Sequence, residues 1–284
     1  MQRLVDLHIH TNLSDGTFSP EKAVEYSKAK GLAAIAITDH DTCKGITPAI
    51  MAAKDLDIEI IPGIELSAEM DNRDLHILGY FIDWQNEEFS KKLEHIIRIR
   101  KERAKEILKR LKRVNVNISD EELFKLADFG CVGRLHIAKL LFKKGYVSSI
   151  SGAFKEYIGD NSPCYVKKFK LSPKEAVDII KGVGGIAVLA HPKTINAKDR
   201  PLEDIIALLV KDGIQGIEVY HSDHTKNDEK KFADIAERHD LVMTGGSDCH
   251  GFGKKQILIG KIKIPYELVK KLRAACWSRR NLGH

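Results

Sequence analysis

The first apolar stretch of the chain reads Leu4-Val5-Asp6-Leu7-His8-Ile9-His10 and predicts a β-strand. Alternate side chains of a strand point to opposite faces, so Asp6, His8 and His10 share one face and the apolar residues share the other. Two imidazoles separated by one residue can reach the same metal ion. The stretch therefore predicts a buried strand that ends in a pair of metal-binding histidines.

Six similar apolar runs follow, and most end in polar residues that can bind metals or substrates. They cover Leu32–His40, Ile58–Glu65, Leu75–Ile82, Gly185–His191, Gly213–His221 and Leu241–His250. Helical patterns separate several runs: Ser19-Pro20 begins one helix that Gly31 ends, and Ser172-Pro173-Lys174-Glu175 forms a capping box. Alternating strands and helices favour a parallel sheet with helical crossovers. With a length of 284 residues, they predict an α/β fold, a β/α barrel of about seven strands.

One segment interrupts this alternation. Residues 86–164 instead predict helices over Glu87–Val114, after Ser119 and over Leu135–Lys144, the last with Gly145 as its C′ residue. A short strand is expected at Cys164–Lys168. We interpret residues 1–85 and 165–284 as the barrel that carries the metal site, and residues 86–164 as a helical insertion that covers the active-site mouth.

The composition is that of an ordinary globular protein, with 43% apolar and 30% charged residues. No apolar run approaches the roughly 18 residues that a membrane span needs, and the N-terminus lacks the apolar core of a signal peptide. The five cysteines form no CxxC pair, which favours reduced thiols. We therefore expect a cytoplasmic protein with no membrane contact and no obligate protein partner. The net charge of +6 favours anionic partners only weakly.

Side chains that bind metals recur at the predicted carboxyl ends of the strands, which meet on the active-site face of a β/α barrel. A lone histidine at a strand end is more often a structural polar residue than a ligand, but six of the twelve histidines lie at predicted strand ends or starts. Nitrogen and oxygen ligands without a thiolate suit Zn²⁺, Mn²⁺ or Fe²⁺, and the number of candidates is enough for two or three ions. Among these metals we expect Mn²⁺, with Zn²⁺ and Fe²⁺ as alternatives. The nine candidate ligands are His8, His10, Asp15, His40, Glu65, His76, His191, Asp248 and His250.

Three further acidic residues, Asp6, Asp39 and Asp41, lie beside these candidates. They either orient the ligand imidazoles from behind or only cap turns, and the sequence leaves both interpretations open. Cys249 is adjacent to Asp248 but lies on the opposite strand face, where a packing role is expected.

The candidate ligands occur in motifs that resemble the PHP superfamily (polymerase and histidinol phosphatase). The resemblance spans nearly the whole chain and implies a distorted (β/α)7 barrel with a two- or three-metal phosphoesterase site. Its motifs are Asp6-Leu7-His8-Ile9-His10-Thr11, Ser14-Asp15-Gly16, Thr38-Asp39-His40-Asp41-Thr42, Pro62-Gly63-Ile64-Glu65, Ala190-His191-Pro192 and Gly246-Ser247-Asp248-Cys249-His250-Gly251. It assigns to one ion His8, His10, Glu65 and Asp248, to a second Glu65, His76 and His191, and to a third Asp15, His40 and His250.

The predicted insertion is similar to one bacterial branch of this superfamily. Val132-Gly133-Arg134-Leu135-His136-Ile137-Ala138 resembles the GRPHIA segment of 3′,5′-nucleoside bisphosphate phosphatases, some of which also act as 5′→3′ exoribonucleases. Leu135 stands where that segment has proline. Glu218-Val219-Tyr220-His221 and His224-Thr225 match the same branch.

The resemblance implies a phosphoesterase that converts 3′,5′-nucleoside bisphosphates to the 5′-monophosphate and phosphate, and that also acts on the 5′ ends of short RNA. A metal-bridging hydroxide would attack phosphorus in line. Glu65, His191 and Asp248 are the expected catalytic residues, and either His191 or His221 would protonate the leaving oxygen.

A substrate with two phosphates also needs a cationic site away from the metals. Arg134 can bind phosphate through two parallel hydrogen bonds, and His136 and His221 are expected to assist it. One of Arg98, Arg100 or Arg103 would support this site, although the alternation of acidic and basic residues along that helix is also typical of a solvated face.

Two other functions stay open. A phosphatase of the histidinol-phosphate type would not need Arg134. A metal-stabilised binding module without turnover is a third reading, and the complete set of candidate ligands argues against it.

Overall fold

The computed structural model of the protein describes residues 3–126, 132–167, 170–253 and 256–280. Eight strands form one sheet: β1 (Leu4–Ile9), β2 (Leu32–Ile37), β3 (Glu59–Met70), β4 (Arg73–Tyr80), β5 (Ile186–Leu189), β6 (Gly216–His221), β7 (Val242–Gly246) and β8 (Ile264–Pro265). Their order is β7-β6-β5-β4-β3-β2-β1-β8, and a parallel bridge between Ile9 and Cys249 brings β1 beside the end of β7. The sheet is a nearly closed barrel, so the predicted distorted β/α barrel is confirmed.

Helices connect and cover these strands. They are α1 (Pro20–Ala29), α2 (Ile46–Ala53), α3 (Glu87–Arg113), α4 (Asp120–Leu126), α5 (Arg134–Lys143), α6 (Ile150–Ala153), α7 (Pro173–Gly182), α8 (Leu202–Asp212), α9 (Lys226–Arg238) and α10 (Glu267–Arg280). A π-helical turn at Phe154–Ile158 follows α6, and short 3₁₀ turns lie at Pro192–Thr194 and Gly251–Gly253.

The sequence signals at helix ends act as predicted. The Ser19 side chain accepts a hydrogen bond from the Lys22 amide at the start of α1, and Gly31 follows the helix with a positive φ of 74°. Ser172 and Glu175 exchange side-chain-to-backbone hydrogen bonds at the start of α7. The predicted start and end of α1 and the predicted start of α7 are therefore confirmed.

The β3–β4 hairpin departs from the predicted arrangement. β3 continues to Met70 instead of ending at Glu65, and β4 pairs antiparallel with both β3 and β5. The two-residue turn Asp71-Asn72 joins the strands with φ values of 50° and 60°, as a type I′ hairpin turn requires. The expectation of a fully parallel sheet was wrong here because this turn needs no crossover helix. Glu65 and His76 consequently lie within the two paired strands of the hairpin, Glu65 on β3 and His76 on β4.

Between β4 and β5 the described chain is mostly helical. The helices from α3 to α6 share an apolar core that includes Ile107, Leu111 and Leu141. The expected strand at Cys164–Lys168 is absent over residues 164–167, and Lys168 lies outside the described residues. Leu171 instead makes a single bridge with Ala68.

Apolar strand residues pack under the surrounding helices. Ile35 and Ile37 of β2 share a buried cluster with Ala23 and Val24 of α1. Because strand side chains alternate, Ala34 and Ala36 lie on the other face of β2, where they share a second buried cluster with Val5 and Leu7 of β1.

The described helices include none that is long and apolar enough to cross a membrane. Among the described residues, Cys43, Cys164, Cys249 and Cys276 form no disulfide bond. Cys131 lies outside the described residues.

Candidate metal centre

The nine predicted ligands converge at the barrel mouth, and all are buried or half-buried. Most come from the carboxyl ends of parallel strands or from the loops that follow those ends, while the β3–β4 hairpin supplies two from within its strands. By element they are His8, His10 and Asp15 from β1 and its loop, His40 after β2, Glu65 and His76 from the hairpin, His191 after β5, and Asp248 and His250 after β7.

Four of these side chains surround one point. The Nε2 atom of His10 lies 3.1 Å from His8 Nε2, 3.0 Å from Glu65 Oε2 and 3.2 Å from Asp248 Oδ1. Ligand atoms about 2.1 Å from one ion are separated by about 3.0–3.4 Å in tetrahedral or octahedral geometry. The spacing therefore fits the first ligand set that the resemblance implied.

Glu65 faces two groups of imidazoles with its two oxygen atoms. Oε2 faces the set just described, whereas Oε1 lies 2.8 Å from His76 Nδ1 and 3.0 Å from His191 Nε2. The two oxygen atoms of Glu65 thus face different imidazoles, as the bridging role implied by the resemblance requires.

The third implied set gathers around Asp15. Asp15 Oδ1 lies 3.2 Å from His250 Nε2, and Asp15 Oδ2 lies 4.0 Å from His40 Nε2. His10 Nδ1 approaches the same carboxylate at 3.8 Å. The distances between ligand atoms are longer in this set than in the first, and His10 lies between the two sets.

Hydrogen bonds to Nδ1 fix the orientation of three imidazoles. His8 Nδ1 lies 3.1 Å from the Glu218 carboxylate and His250 Nδ1 lies 3.0 Å from the Asp248 carbonyl oxygen, so both rings donate from Nδ1. His191 Nδ1 donates to Thr194 Oγ1, because the Thr194 hydroxyl already donates to the His191 carbonyl. An imidazole that donates from Nδ1 presents the lone pair of Nε2. All three rings therefore direct a basic nitrogen at the cluster, as metal ligands do.

Other buried nitrogens at the centre lack hydrogen-bond partners among the described residues. They include Nδ1 of His10 and Nδ1 of His40. Such groups are costly to bury unless a partner satisfies them. Metal ions would provide that partner, so the residues fit the divalent ions that the resemblance implied.

The carboxylates and imidazoles shift each other's pKa strongly. Burial raises the pKa of Glu65, but the neighbouring His40 and His76 outweigh burial and hold that pKa well below its usual range. Burial lowers the pKa of His10, but Asp248 and Glu65 raise it to about 10. The pKa of His40 is lowered well below its usual range, chiefly by burial. The carboxylates thus stay ionised and favour positive charge at this point of the molecule.

Glu218 is a site residue to which the sequence assigned no role. Its Oε1 accepts the hydrogen bond from His8 Nδ1, and its Oε2 accepts one from the His191 amide at 2.7 Å. Glu218 and His8 are both fully buried. With His221 they also form a group whose ligand atoms lie within 4.8 Å of one another. Because His8 directs Nε2 at the metal cluster, we assign Glu218 to positioning His8 and the backbone at His191.

Two of the three acidic residues beside the ligands, Asp6 and Asp39, hold loops of the centre. Asp6 accepts hydrogen bonds from the amides of Ser247 and His8. Asp39 accepts them from Thr11 and Ser14 in the loop that carries Asp15. The described hydrogen bonds thus connect both aspartates to residues beside ligands rather than to the imidazoles themselves.

The backbone is strained at three positions of the centre. Asp41, His191 and Asp248 adopt positive φ values of 52°, 24° and 50°. Residues other than glycine rarely adopt such values, which cost about 1–3 kcal/mol each and cluster at functional sites. The surrounding structure thus holds two candidate ligands in conformations that an unconstrained chain avoids.

The residues predicted to bind a second phosphate come from two elements, β6 and α5. His221 is buried in β6, with Nε2 3.7 Å from Asp248 Oδ2. Arg134 begins α5, where its Nη1 donates to Asp160 at 2.8 Å. His136 is buried one turn into α5, and the Asp15 carboxylate partly offsets the lowering of its pKa by burial. Of these residues on α5, His136 therefore interacts electrostatically with the candidate ligand Asp15.

Comparison with known proteins agrees with this geometry. The family model of the PHP domain matches residues 6–166. The chain is 34% identical to a 5′-3′ exoribonuclease of Haemophilus influenzae over 88% of this chain and 91% of that one. It is 32% identical to a 3′,5′-nucleoside bisphosphate phosphatase of Chromobacterium violaceum, over 88% of each chain.

Solved structures show the same likeness. A protein of Bifidobacterium adolescentis described as a metal-dependent phosphoesterase superposes with a TM-score of 0.85 at 30% sequence identity, over 96% of both chains. Family, relatives and structural neighbour agree with the carboxylate–imidazole cluster. The chain belongs to the PHP domain family and is a phosphoester hydrolase.

Proposed function

We propose that the protein removes the 3′-phosphate of 3′,5′-nucleoside bisphosphates and cleaves 5′-phosphorylated RNA at the corresponding bond, between the 3′ oxygen and phosphorus of the first nucleotide. The observation that carries the proposal is a group of arginines beside the metal centre. Within it, the buried Nη2 of Arg103 has no hydrogen-bond partner among the described residues. The names of the two relatives, an exoribonuclease and a bisphosphate phosphatase, support the same substrates.

The arginine group consists of Arg100, Arg103 and Arg134. Arg100 pairs with Asp41, the residue after the candidate ligand His40. Arg103, about one turn further along α3, donates from Nε to the Val166 carbonyl at 2.9 Å. These contacts support a position for the group at the edge of the metal centre.

Positive charge in this group is only partly balanced. Burial, followed by the nearby guanidinium of Arg134, lowers the pKa of Arg103 to about 10. Asp160 pairs with Arg134 but is largely exposed, so a bound anion could replace it. A phosphate bound there would satisfy Arg103 Nη2 and offset the crowded charge, and the planar guanidinium suits its oxygens.

Two histidines complement the arginines as neutral hydrogen-bond donors. His136 Nδ1 accepts from the Gly133 amide at 3.2 Å, and His221 Nδ1 accepts from the Asp223 amide at 3.1 Å. An imidazole that accepts at Nδ1 carries its proton on Nε2. We therefore expect both rings to donate to phosphate oxygens rather than to bind metal.

Two histidines are the candidates for the general acid. His191 Nε2 lies 3.0 Å from Glu65 Oε1 and His221 Nε2 lies 3.7 Å from Asp248 Oδ2, so both rings lie beside the expected catalytic carboxylates. The proposal assigns protonation of the leaving oxygen to one of these two rings. When bound, two or three divalent ions, Mn²⁺ in our proposal, would activate water and neutralise the phosphoryl oxygens.

The insertion contributes the second phosphate site. We infer that residues 86–164 cover the barrel mouth, since Arg100 of α3 also donates to Ser67 on β3 at 2.8 Å. A phosphate bound by the arginine group would then be held at a fixed distance from the scissile phosphate.

A hydrolysis panel with Mn²⁺ tests the proposal. It should compare 3′-phosphoadenosine 5′-phosphate, 5′-phosphorylated short RNA, AMP and histidinol phosphate, with the Asp248→Asn variant as the inactive control. We expect the first two substrates to be hydrolysed much faster than the last two. A preference for histidinol phosphate would contradict the assignment of the arginine group. No hydrolysis by metal-loaded protein would support a binding module instead.

A further inference from the structure

Helix α3 carries a second set of basic residues apart from the arginine group. Arg98, Lys101, Lys105, Lys109 and Lys112 recur at intervals of three or four residues and so form one stripe along the helix. Arg100 and Arg103 lie on another side of the same helix. The proposed phosphate site therefore leaves this stripe without a role.

Three adjoining grooves follow the stripe. The first, of about 250 Å³, is lined by Thr42, Lys44 and Trp84, close in sequence to the candidate ligand His40. The second, of about 490 Å³, shares Lys44 and adds Arg98, Lys101, Lys105 and Phe124. The third, also about 490 Å³, shares Lys105 and adds Lys109, Lys112 and Lys144. Because neighbouring grooves share lining residues, we treat the three together as one channel along α3.

We propose that this channel, the α3 track, binds the single-stranded RNA chain downstream of the scissile bond. The track is defined by Lys44, Arg98, Lys101, Lys105, Lys109, Lys112 and Lys144, with Trp84 and Phe124. Grooves that bind single strands combine basic side chains for the phosphates with aromatic rings on which bases stack. The proposal rests on the proposed function, because it supplies a path for the part of an RNA that a mononucleotide lacks.

The dimensions and charges of the track suit an oligonucleotide. From Arg98 to Lys112 the helix rises about 21 Å, which corresponds to about six nucleotides at ~3.4 Å per stacked nucleotide. Acidic residues also line the track: Lys105 lies 3.3 Å from Glu102 and Lys144 lies 2.6 Å from Glu122. Exposed ion pairs of this kind contribute little, so RNA phosphates can replace the carboxylates.

The test compares two triple variants of the metal-loaded full-length protein. Lys101→Gln/Lys105→Gln/Lys109→Gln removes three charges from the track. The matched control, Lys261→Gln/Lys263→Gln/Lys271→Gln, removes three exposed lysines near β8 and α10. Glutamine has nearly the helix propensity of lysine, so both proteins should fold. Fluorescence anisotropy measures binding of a 12-nucleotide single-stranded RNA, with phosphorothioate linkages at its 5′ end, over a series of salt concentrations.

Each lost phosphate contact should reduce the slope of log K against log salt by about 0.7, so the track variant should lose about 2 in slope and on the order of 100-fold in affinity at 0.1 M salt. The control should bind like the unmodified protein. Equal slopes for both variants, or no RNA binding by the unmodified protein, would overturn the α3 track.

A second readout separates this proposal from the proposed function. Turnover of 3′-phosphoadenosine 5′-phosphate should be the same in both triple variants, because a mononucleotide does not reach the track. If the protein binds RNA through the track but does not hydrolyse the bisphosphate, the α3 track is supported and the proposed substrate is refuted. If the track variant hydrolyses the bisphosphate more slowly than the control variant, the track is not a site for downstream RNA.

Discussion

Replacing Glu218 by Gln tests whether this buried carboxylate positions His8 for metal binding. Its two oxygens accept hydrogen bonds from His8 Nδ1 at 3.1 Å and from the His191 amide at 2.7 Å. A glutamine has one acceptor oxygen, so one buried donor would face an NH₂ group whichever way the amide turns. Loss of such a supporting carboxylate typically weakens metal binding by about 10- to 100-fold, or about 1.4–2.7 kcal/mol. We expect that loss for Glu218→Gln.

Calorimetric Mn²⁺ titration of metal-depleted protein measures the effect, and the activity at saturating Mn²⁺ should largely recover. Tyr80→Phe is the matched control, because it removes a buried hydrogen bond to the Leu7 carbonyl, at 2.9 Å, without contacting a ligand. It should lower stability but leave metal affinity unchanged. Glu218 would have no role in positioning His8 if Glu218→Gln bound Mn²⁺ as tightly as the unmodified protein, or if Tyr80→Phe weakened binding equally.

Two further sets of variants test the substrate site and the packing of the centre. Arg134→Ala should lower kcat/KM for a 3′,5′-bisphosphate by about 10- to 150-fold, the equivalent of a charge-assisted hydrogen bond of about 1.5–3 kcal/mol, while a phosphodiester without a second phosphate is hydrolysed normally. Steady-state kinetics on both substrates would reveal an equal loss, which would mean a role in the fold instead. Gly246→Ala should destabilise the protein and weaken metal binding, because a Cβ there would overlap His8, whereas Gly182→Ala, with open space around its Cα, should be neutral or stabilising in thermal unfolding. Matching melting temperatures for the two glycine variants would contradict this account of the packing.

Features that depend on local chemistry were predictable from the sequence. Ser19 and Ser172 cap helices because their side chains accept hydrogen bonds from amides three residues further along the chain. This spacing can be recognised in the sequence alone. The convergence of the candidate ligands was also predictable, since carboxyl ends of parallel strands meet on one face. The β3–β4 hairpin had a local signal in Asp71-Asn72, but the apolar run was interpreted as ending at Glu65.

The role of Glu218 could not be predicted in this way. Glu218 and His221 are three residues apart, and regular alternation would place them on opposite strand faces. An irregularity in the β6–β7 pairing between Glu218 and Tyr220 changes the register. Both side chains are consequently buried, with Glu218 against His8 and His221 facing Asp248. Such a bulge depends on the pairing with the neighbouring strand, so the alternation pattern of a single strand does not predict it.

We propose that the converging side chains hold two or three divalent ions, with Glu65 shared between two of them. Anomalous diffraction at the manganese absorption edge, from crystals of active protein grown with Mn²⁺, would locate these ions. We expect two or three peaks at the barrel mouth, one beside His8 and His10 and one beside His76 and His191, with an oxygen of Glu65 in contact with each. A single peak, or peaks that Glu65 does not contact, would contradict this proposal.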